Sequence, residues 1–438
     1  MKNTFFIFLF FVFTGTFVSA GEILSLQESI DIGIKNNLLI KIDEARLRQV
    51  EMEKQEVYSY FFPRVSSSFT YTRLDEAQKM GFALPPELGI PPMSFKVTDA
   101  NLYTLGFGLL QPLYTGGKIK SSYAKAEENI KRTIFEQNIT AQDLVLEIKK
   151  GYFNILKAQK MLLAALSLKK TTEEHMRVAQ ASFNEGLVTK IDILKTEVFL
   201  VNTDKQILEA QNAIDLAKSA FSFLLNRPLS EDFEVKDILE EQKDTKALAY
   251  WTQLAYEQRP EIKRLESISK IYAHDINIEK SGLKPQISFF SNYELDRGSQ
   301  GAIDEWQDSW NIGIAIGFDI WNKGETRYRV KKAENKKQEI DRQYELQVKS
   351  IELEIKNAYI NLLFAQKEIE TAKKTQEKAK ENLRIANTLY KEGMATTTDV
   401  LDAQTDLTSA ENDYYQALYN YQTAYGVLEK AAGKPINR

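Results

Sequence analysis

Two short stretches put glycine, threonine and aspartate at the same offsets. They are Glu185-Gly-Leu-Val-Thr-Lys-Ile-Asp-Ile-Leu194 and Glu392-Gly-Met-Ala-Thr-Thr-Thr-Asp-Val-Leu401, 207 residues apart. In each, the threonine (Thr189, Thr396) and the aspartate three residues on (Asp192, Asp399) fit a capping-box arrangement, with a hydroxyl for a free helix N–H and an acid at the positive end of the helix dipole. Gly186 and Gly393 suit the left-handed position that ends a helix. Capping accounts for what the two copies share. It does not require Asp402, which lies three residues past Asp399 on the same helical face and is matched in the first copy by Lys195. No catalytic set accompanies these acids. The only histidines, His175 and His274, sit in charged helical stretches with no second His or Cys at ligand spacing. The chain has no cysteine, hence no thiol chemistry and no thiolate ligand. Neither enzyme activity nor a metal or cofactor is expected.

The elements that carry these stretches are duplicated. Glu147-Ile-Lys, Tyr152, Asn154, Leu156 and Ala158-Gln-Lys160 return 207 residues later as Glu354-Ile-Lys, Tyr359, Asn361, Leu363 and Ala365-Gln-Lys367, and Pro228 matches Pro435. Earlier in the copies Pro63-Arg-Val-Ser66 matches Pro285-Gln-Ile-Ser288 at an offset of 222, so the first copy carries 15 more residues. The Pro-rich segment Asp75 to Ala100 reads as the long loop that holds them. Residues 21–228 and 229–438 are therefore two repeats of one unit.

Each unit opens with one amphipathic helical stretch, Leu26 to Tyr58 and about Leu248 to Ser281. Two runs of alternating apolar and polar residues follow: strands at about 64–74 and 101–114 in the first unit, and 286–295 and 310–321 in the second. The apolar face carries aromatics toward its ends, the other face is small and polar, and the runs last about 9 to 11 residues, which suits membrane strands. Residues 118–184 and 325–391 follow almost without helix breakers; 67 residues make a helix on the order of 100 Å long. Turns at 185–190 and 392–397 lead into return helices ending near 225 and 432, giving two antiparallel coiled-coil hairpins.

The chain starts with one lysine, an apolar run from Phe5 to Val18 and Val18-Ser19-Ala20, so residues 1–20 read as a secretory signal peptide. Beyond it no run is long and apolar enough for a membrane helix, so a membrane crossing would need a closed barrel. Four strands are too few to close one alone. Copies must share it: two would give eight strands and three would give twelve. A net charge of −4 gives no global attraction for nucleic acid.

Gln111-Pro-Leu-Tyr-Thr-Gly-Gly-Lys-Ile119, with Pro112, Gly116 and Gly117 where strand hands over to long helix, resembles the signature of the TolC-type outer-membrane efflux proteins, or outer-membrane factors. Ile320-Trp-Asn-Lys-Gly-Glu-Thr-Arg-Tyr328, with Gly324, is a weaker second copy. The resemblance covers about Gly21 to Pro435, and it implies an α+β membrane protein, a homotrimer with a 12-stranded barrel in outer-membrane lipid and an α-helical periplasmic tunnel narrowing at the hairpin tips. It implies a passive duct of a tripartite efflux or type I secretion system of a Gram-negative bacterium, working with a periplasmic adaptor (membrane fusion) protein and an inner-membrane pump of RND or ABC type. It further implies that Asp399 and Asp402 line the periplasmic aperture, where threefold symmetry would crowd carboxylates and attract cations. A contact between Tyr390 and Asp192 would shut the tips. The Arg that completes the family's lock is replaced by Ala395, which puts that closure in doubt. The rival reading is a non-conducting periplasmic coiled-coil scaffold or adaptor, but it has no use for four membrane-type strands.

Overall fold

The computed structural model describes residues 22–82, 89, 93–238, 246–299 and 304–434. The expected signal peptide, residues 1–20, lies outside them, as does Pro435. The first repeat contains β1 (Glu22–Leu24), α1 (Leu26–Asn36), α2 (Leu38–Ser59), β2 (Arg64–Arg73), β3 (Lys79–Phe82), β4 (Met93–Lys96), β5 (Asn101–Tyr114), α3 (Lys118–Asn184) and α4 (Lys190–Leu225). The second contains β6 (Phe233–Val235), α5 (Leu248–Gln258), α6 (Pro260–Lys280), β7 (Gln286–Arg297), β8 (Gln307–Gly317), α7 (Glu325–Lys391) and α8 (Thr397–Ala431). Two units form: Ile42–Ile139 with Arg259–Ser350, and Met1–Lys41 with Thr140–Gln258 and Ile351–Arg438. Helices α2, α3 and α7 contribute residues to both.

The first unit holds a four-stranded antiparallel sheet in the order β2-β5-β7-β8, so the repeats meet at the β5 to β7 pairing. The register brings the apolar alternation of all four strands onto one face. Val65 lies opposite Leu109 and Phe69 opposite Leu105; Phe107 lies opposite Tyr293; Trp310, Ile312, Ile314 and Ile316 lie opposite Tyr293, Ser291, Phe289 and Ile287. The reverse face pairs Ser66 with Gly108, Ser68 with Gly106 and Asn292 with Asn311. Aromatic rings gather at both ends: Tyr71 and Tyr103 at 5.0 Å beside Trp306, and Tyr58 with Phe62 at 5.2 Å beside Phe61 and Tyr123. Among the described residues strands β2 and β8 each have a partner on one side only. At the exit from β5, after a register shift between Pro112 and Tyr114, Gly116 and Gly117 adopt positive φ; a Cβ on Gly116 would lie 2.7 Å from the Ser281 carbonyl oxygen, so only glycine fits there.

Strand β8 ends at Gly317 rather than near residue 321. Its partner β7 begins at Gln286, opposite Gly317, which leaves 318–321 nothing in the chain to pair with, and Lys323 and Gly324 then take positive φ into α7. The loop expected from Asp75 to Ala100 contains an antiparallel pair, β3 with β4. The opening helical stretches are each broken. Asn37 takes an extended conformation, accepting from the Leu39 N–H and donating to the Leu224 carbonyl at 2.8 Å, and Pro260 starts α6 because a helix N1 position has no partner for the N–H that proline lacks.

The second unit is organised around Tyr152 on α3. Its ring is fully buried with Ile148, Ile155, Phe221, Leu225 and Phe233, and packs against Phe221 at 6.1 Å. Its hydroxyl lies 3.0 Å from the Leu24 carbonyl oxygen and 2.8 Å from that of Lys236, just past the parallel pair β1 and β6. Burial pushes this phenol up to about 12, so it stays protonated and a donor. Gly151 beside it leaves room for Phe221, whose ring a Cβ would meet at 2.9 Å. Tyr152→Phe is expected to remove one donor from each carbonyl, of which that of Leu24 keeps the Lys236 N–H at 3.0 Å, and to cost about 1 kcal/mol, read as a lower denaturant midpoint of the detergent-solubilised protein; an unchanged midpoint would rule out this anchoring role.

Candidate functional site

The long helices end in two turns of the same construction. At the first, the Gly186 N–H donates to the Phe183 carbonyl at 2.9 Å and the Leu187 N–H to the Ser182 carbonyl at 2.8 Å; at the second, Gly393 donates to Tyr390 at 3.0 Å and Met394 to Leu389 at 2.8 Å. This is the Schellman pattern, and the glycines have φ of 75° and 73°. Each return helix then starts on a threonine. Asp192 accepts from the Thr189 N–H at 3.0 Å and from its hydroxyl at 2.7 Å; Asp399 accepts from the Thr396 N–H and hydroxyl, both at 2.7 Å. The Asp399 N–H in turn donates to the Thr396 hydroxyl at 3.2 Å. The threonine contacts, hydroxyl first, hold both carboxyls below the ordinary aspartate range.

The two tips differ in what surrounds these caps. Asp399 and Asp402 are both exposed on α8, while Val400, Ala403 and Gln404 between and beyond them are buried. Among the described residues Asp402 makes no hydrogen bond or ion pair. Lys195, its counterpart, donates across to the Thr398 hydroxyl on α8 at 3.1 Å, so the first hairpin touches the second here.

Tyr390 and Asp192 are not joined within the chain. Asp192 is occupied by its own cap, and the Tyr390 ring is buried with Ala386, Val400 and Ala403, against Val178, Leu383 and Ala395. Thr397 donates to the Tyr390 hydroxyl at 3.4 Å. The ring that faces Tyr390 from α3 is His175, at a centroid distance of 4.8 Å and 58° between planes. Next to it the Thr172 hydroxyl donates to the Gln404 side chain at 3.0 Å, again from the first hairpin to the second. His175 was legible in the sequence only as a histidine with no ligand spacing. The duplication held a further signal, since its counterpart is Asn382 and that of Tyr390 is Phe183, so the facing pair exists in one sense only.

One sheet, apolar on one face and polar on the other, built from a strand pair of each repeat and joined to two long helical hairpins, is the architecture of a TolC-like outer-membrane protein. The chain belongs to the outer membrane efflux protein family, whose model matches residues 30–227 and 251–434. It is similar to the alkaline protease secretion protein AprF of Pseudomonas aeruginosa, with 20% identity over 240 residues, 52% of this chain and 48% of AprF. The chain thus spans about half the length of the curated relative it matches. Among solved structures it resembles the outer-membrane channel OprN (TM-score 0.75, 19% identity, 94% of this chain and 90% of that one). It also resembles the CmeC outer membrane channel of Campylobacter jejuni (TM-score 0.75, 18% identity, 93% and 85%). It is accordingly an outer-membrane transport-family protein with a large helical periplasmic portion.

Thr396→Ala removes the cap hydroxyl from the second tip alone. Loss of a threonine cap is worth about 1 kcal/mol, so tryptic cleavage after Lys391 is expected to speed up about fivefold while cleavage after Lys190, at the first tip, stays constant. Equal rates at the two sites before and after the substitution would show that the cap does not hold the tip.

Proposed function

We propose that the chain is one third of a passive exit duct: three copies share a 12-stranded barrel and continue as a helical tunnel whose mouth is framed by the hairpin tips. The observation that carries this is the pair of open edges. Strands β2 and β8 have free backbone groups along one side, and the face beside them is apolar, with Trp310 at 72% and Ile316 at 69% exposure. A sheet edge in hydrocarbon must be paired, and a second copy supplies the partner. Heptad-spaced apolar residues support the same neighbour along the helices: Ile191, Leu194, Val198, Val201 and Leu208 on α4, and Leu346, Leu353 and Ile360 on α7, are exposed in the single chain. Three copies is the number that the family resemblance implies.

Such a duct performs no reaction; its cargo arrives from an inner-membrane pump, of RND or ABC type, through a periplasmic adaptor. The efflux description of the family and the protease-secretion role in AprF's name support cargo of either kind, small molecule or protein. Asp399 and Asp402, exposed on one face at the second tip, would meet their copies at the aperture and favour cations there. Recovery from outer membranes as a trimer that conducts in planar bilayers tests the duct; a monomer, or a trimer without conductance, overturns it. Replacing both Asp399 and Asp402 with Ala is expected to weaken the channel's cation preference, and unchanged ion selectivity would remove the aperture assignment.

A further inference from the structure

His175 is the one histidine that the fold buries. It is 5% exposed, and its Nε2 has no hydrogen-bond partner among the described residues. It does not sit in a core far from function: its ring packs at a tilt against Tyr390 at the junction of the two hairpins, one turn from the Thr172 to Gln404 bridge. Tyr390 in turn receives Thr397, the first residue of α8, so the contact runs from α3 through α7 to the helix that carries Asp399 and Asp402.

We propose that His175 is a positioning residue that holds Tyr390 in the closed arrangement of the tips, and that uptake of a proton by its imidazole loosens the junction. The inference rests on the duct reading. A buried imidazolium is costly unless a carboxylate meets it, and none does among the described residues. On α3, Glu174 and Arg177 are exposed and paired with each other at 2.8 Å. On α7, the charge of Lys391 acts on Glu174, and on α8 the packed residues Val400, Ala403 and Gln404 are uncharged while Asp399 and Asp402 are exposed. On α4, Asp192 and Lys195 are engaged with Thr189 and Thr398. Burial alone therefore sets the ring's proton affinity, and lowers it. With the folded value below the unfolded one, the junction is at full strength above about pH 6.5 and weakens as the pH falls through the lowered value.

The test compares open probability in planar bilayers at pH 7.5 and 5.5, a window in which aspartates stay ionised and an unperturbed histidine titrates. In the unaltered trimer, open probability is expected to rise about tenfold on acidification. His175→Gln and His175→Asn, the residue at the matching position of the other repeat, are expected to abolish that rise, whereas His274→Gln retains it. A purely structural role would shift the open level of the His175 variants but leave its pH slope. A second measurement needs no histidine variant. Because the chain has no cysteine, Val178→Cys, at the junction, can be labelled with a maleimide and compared with Leu187→Cys, exposed at the first turn. The ratio of the two rates is expected to rise several-fold at the lower pH. A pH response that survives in His175→Gln, or a constant labelling ratio, overturns the inference while leaving the duct intact; absence of conductance at every pH overturns the duct and this inference with it.

Discussion

A strand in hydrocarbon cannot leave its N–H and C=O groups to water, because there is none, and everything else in this chain follows from that requirement. Four strands satisfy one another at three seams and leave two edges open. Among the described residues no strand pairs with the outer edge of β2 or β8, and the apolar face beside them stays exposed in one copy. Assembly, in the proposal above, is thus part of folding rather than a later association. The aromatic groups at both ends of the sheet suit the two boundaries where such a barrel meets headgroups.

The periplasmic helices face an opposite problem, since water is abundant and a very long helix has little to hold it straight except neighbours. The chain answers with three kinds of fixed point. Tyr152 ties α3 to the small β1 and β6 pair at a place where glycine at 151 allows close approach. The Schellman turns and threonine caps close the distal ends without any need for tertiary contact; the space around Gly186 and Gly393 is open, so backbone conformation alone dictates glycine there. Between these lies the junction of the two hairpins, where a buried threonine meets a buried glutamine and an imidazole meets a phenol. Only the last of the three is polar, enclosed and incompletely satisfied, and it is therefore the one that conditions can alter.

Much of this architecture was legible in the residues because it rests on periodicity. Alternation with period two gave the sheet its faces, and the near absence of Gly and Pro gave the long helices their extent. What was missed rests on single residues or on pairings across sequence. The break at Pro260 is marked only by the proline itself within a continuing helical pattern, whereas the break at Asn37 depends on a carbonyl 187 residues away at Leu224. Strands of three residues, such as β1 and β6, are too short to show alternation at all. At the tips, the caps of Thr189 and Thr396 follow from local spacing, but the partner of Tyr390 does not: a packing choice among α3, α7 and α8 decides that the ring meets His175, and no spacing rule encodes it.

The two repeats are carried on one polypeptide and meet at the β5 to β7 seam, and this has a consequence for how such a molecule can change over generations. An assembly of identical single repeats would receive every substitution at every tip at once, and a charge acceptable at one would be imposed on all. Fusion releases half of the positions from that constraint. Asp402 where the other copy has Lys195, and Tyr390 beside His175 where the other copy has Phe183 and Asn382, are differences that only a fused gene can accumulate, so the asymmetry of the tips is a record of divergence after duplication.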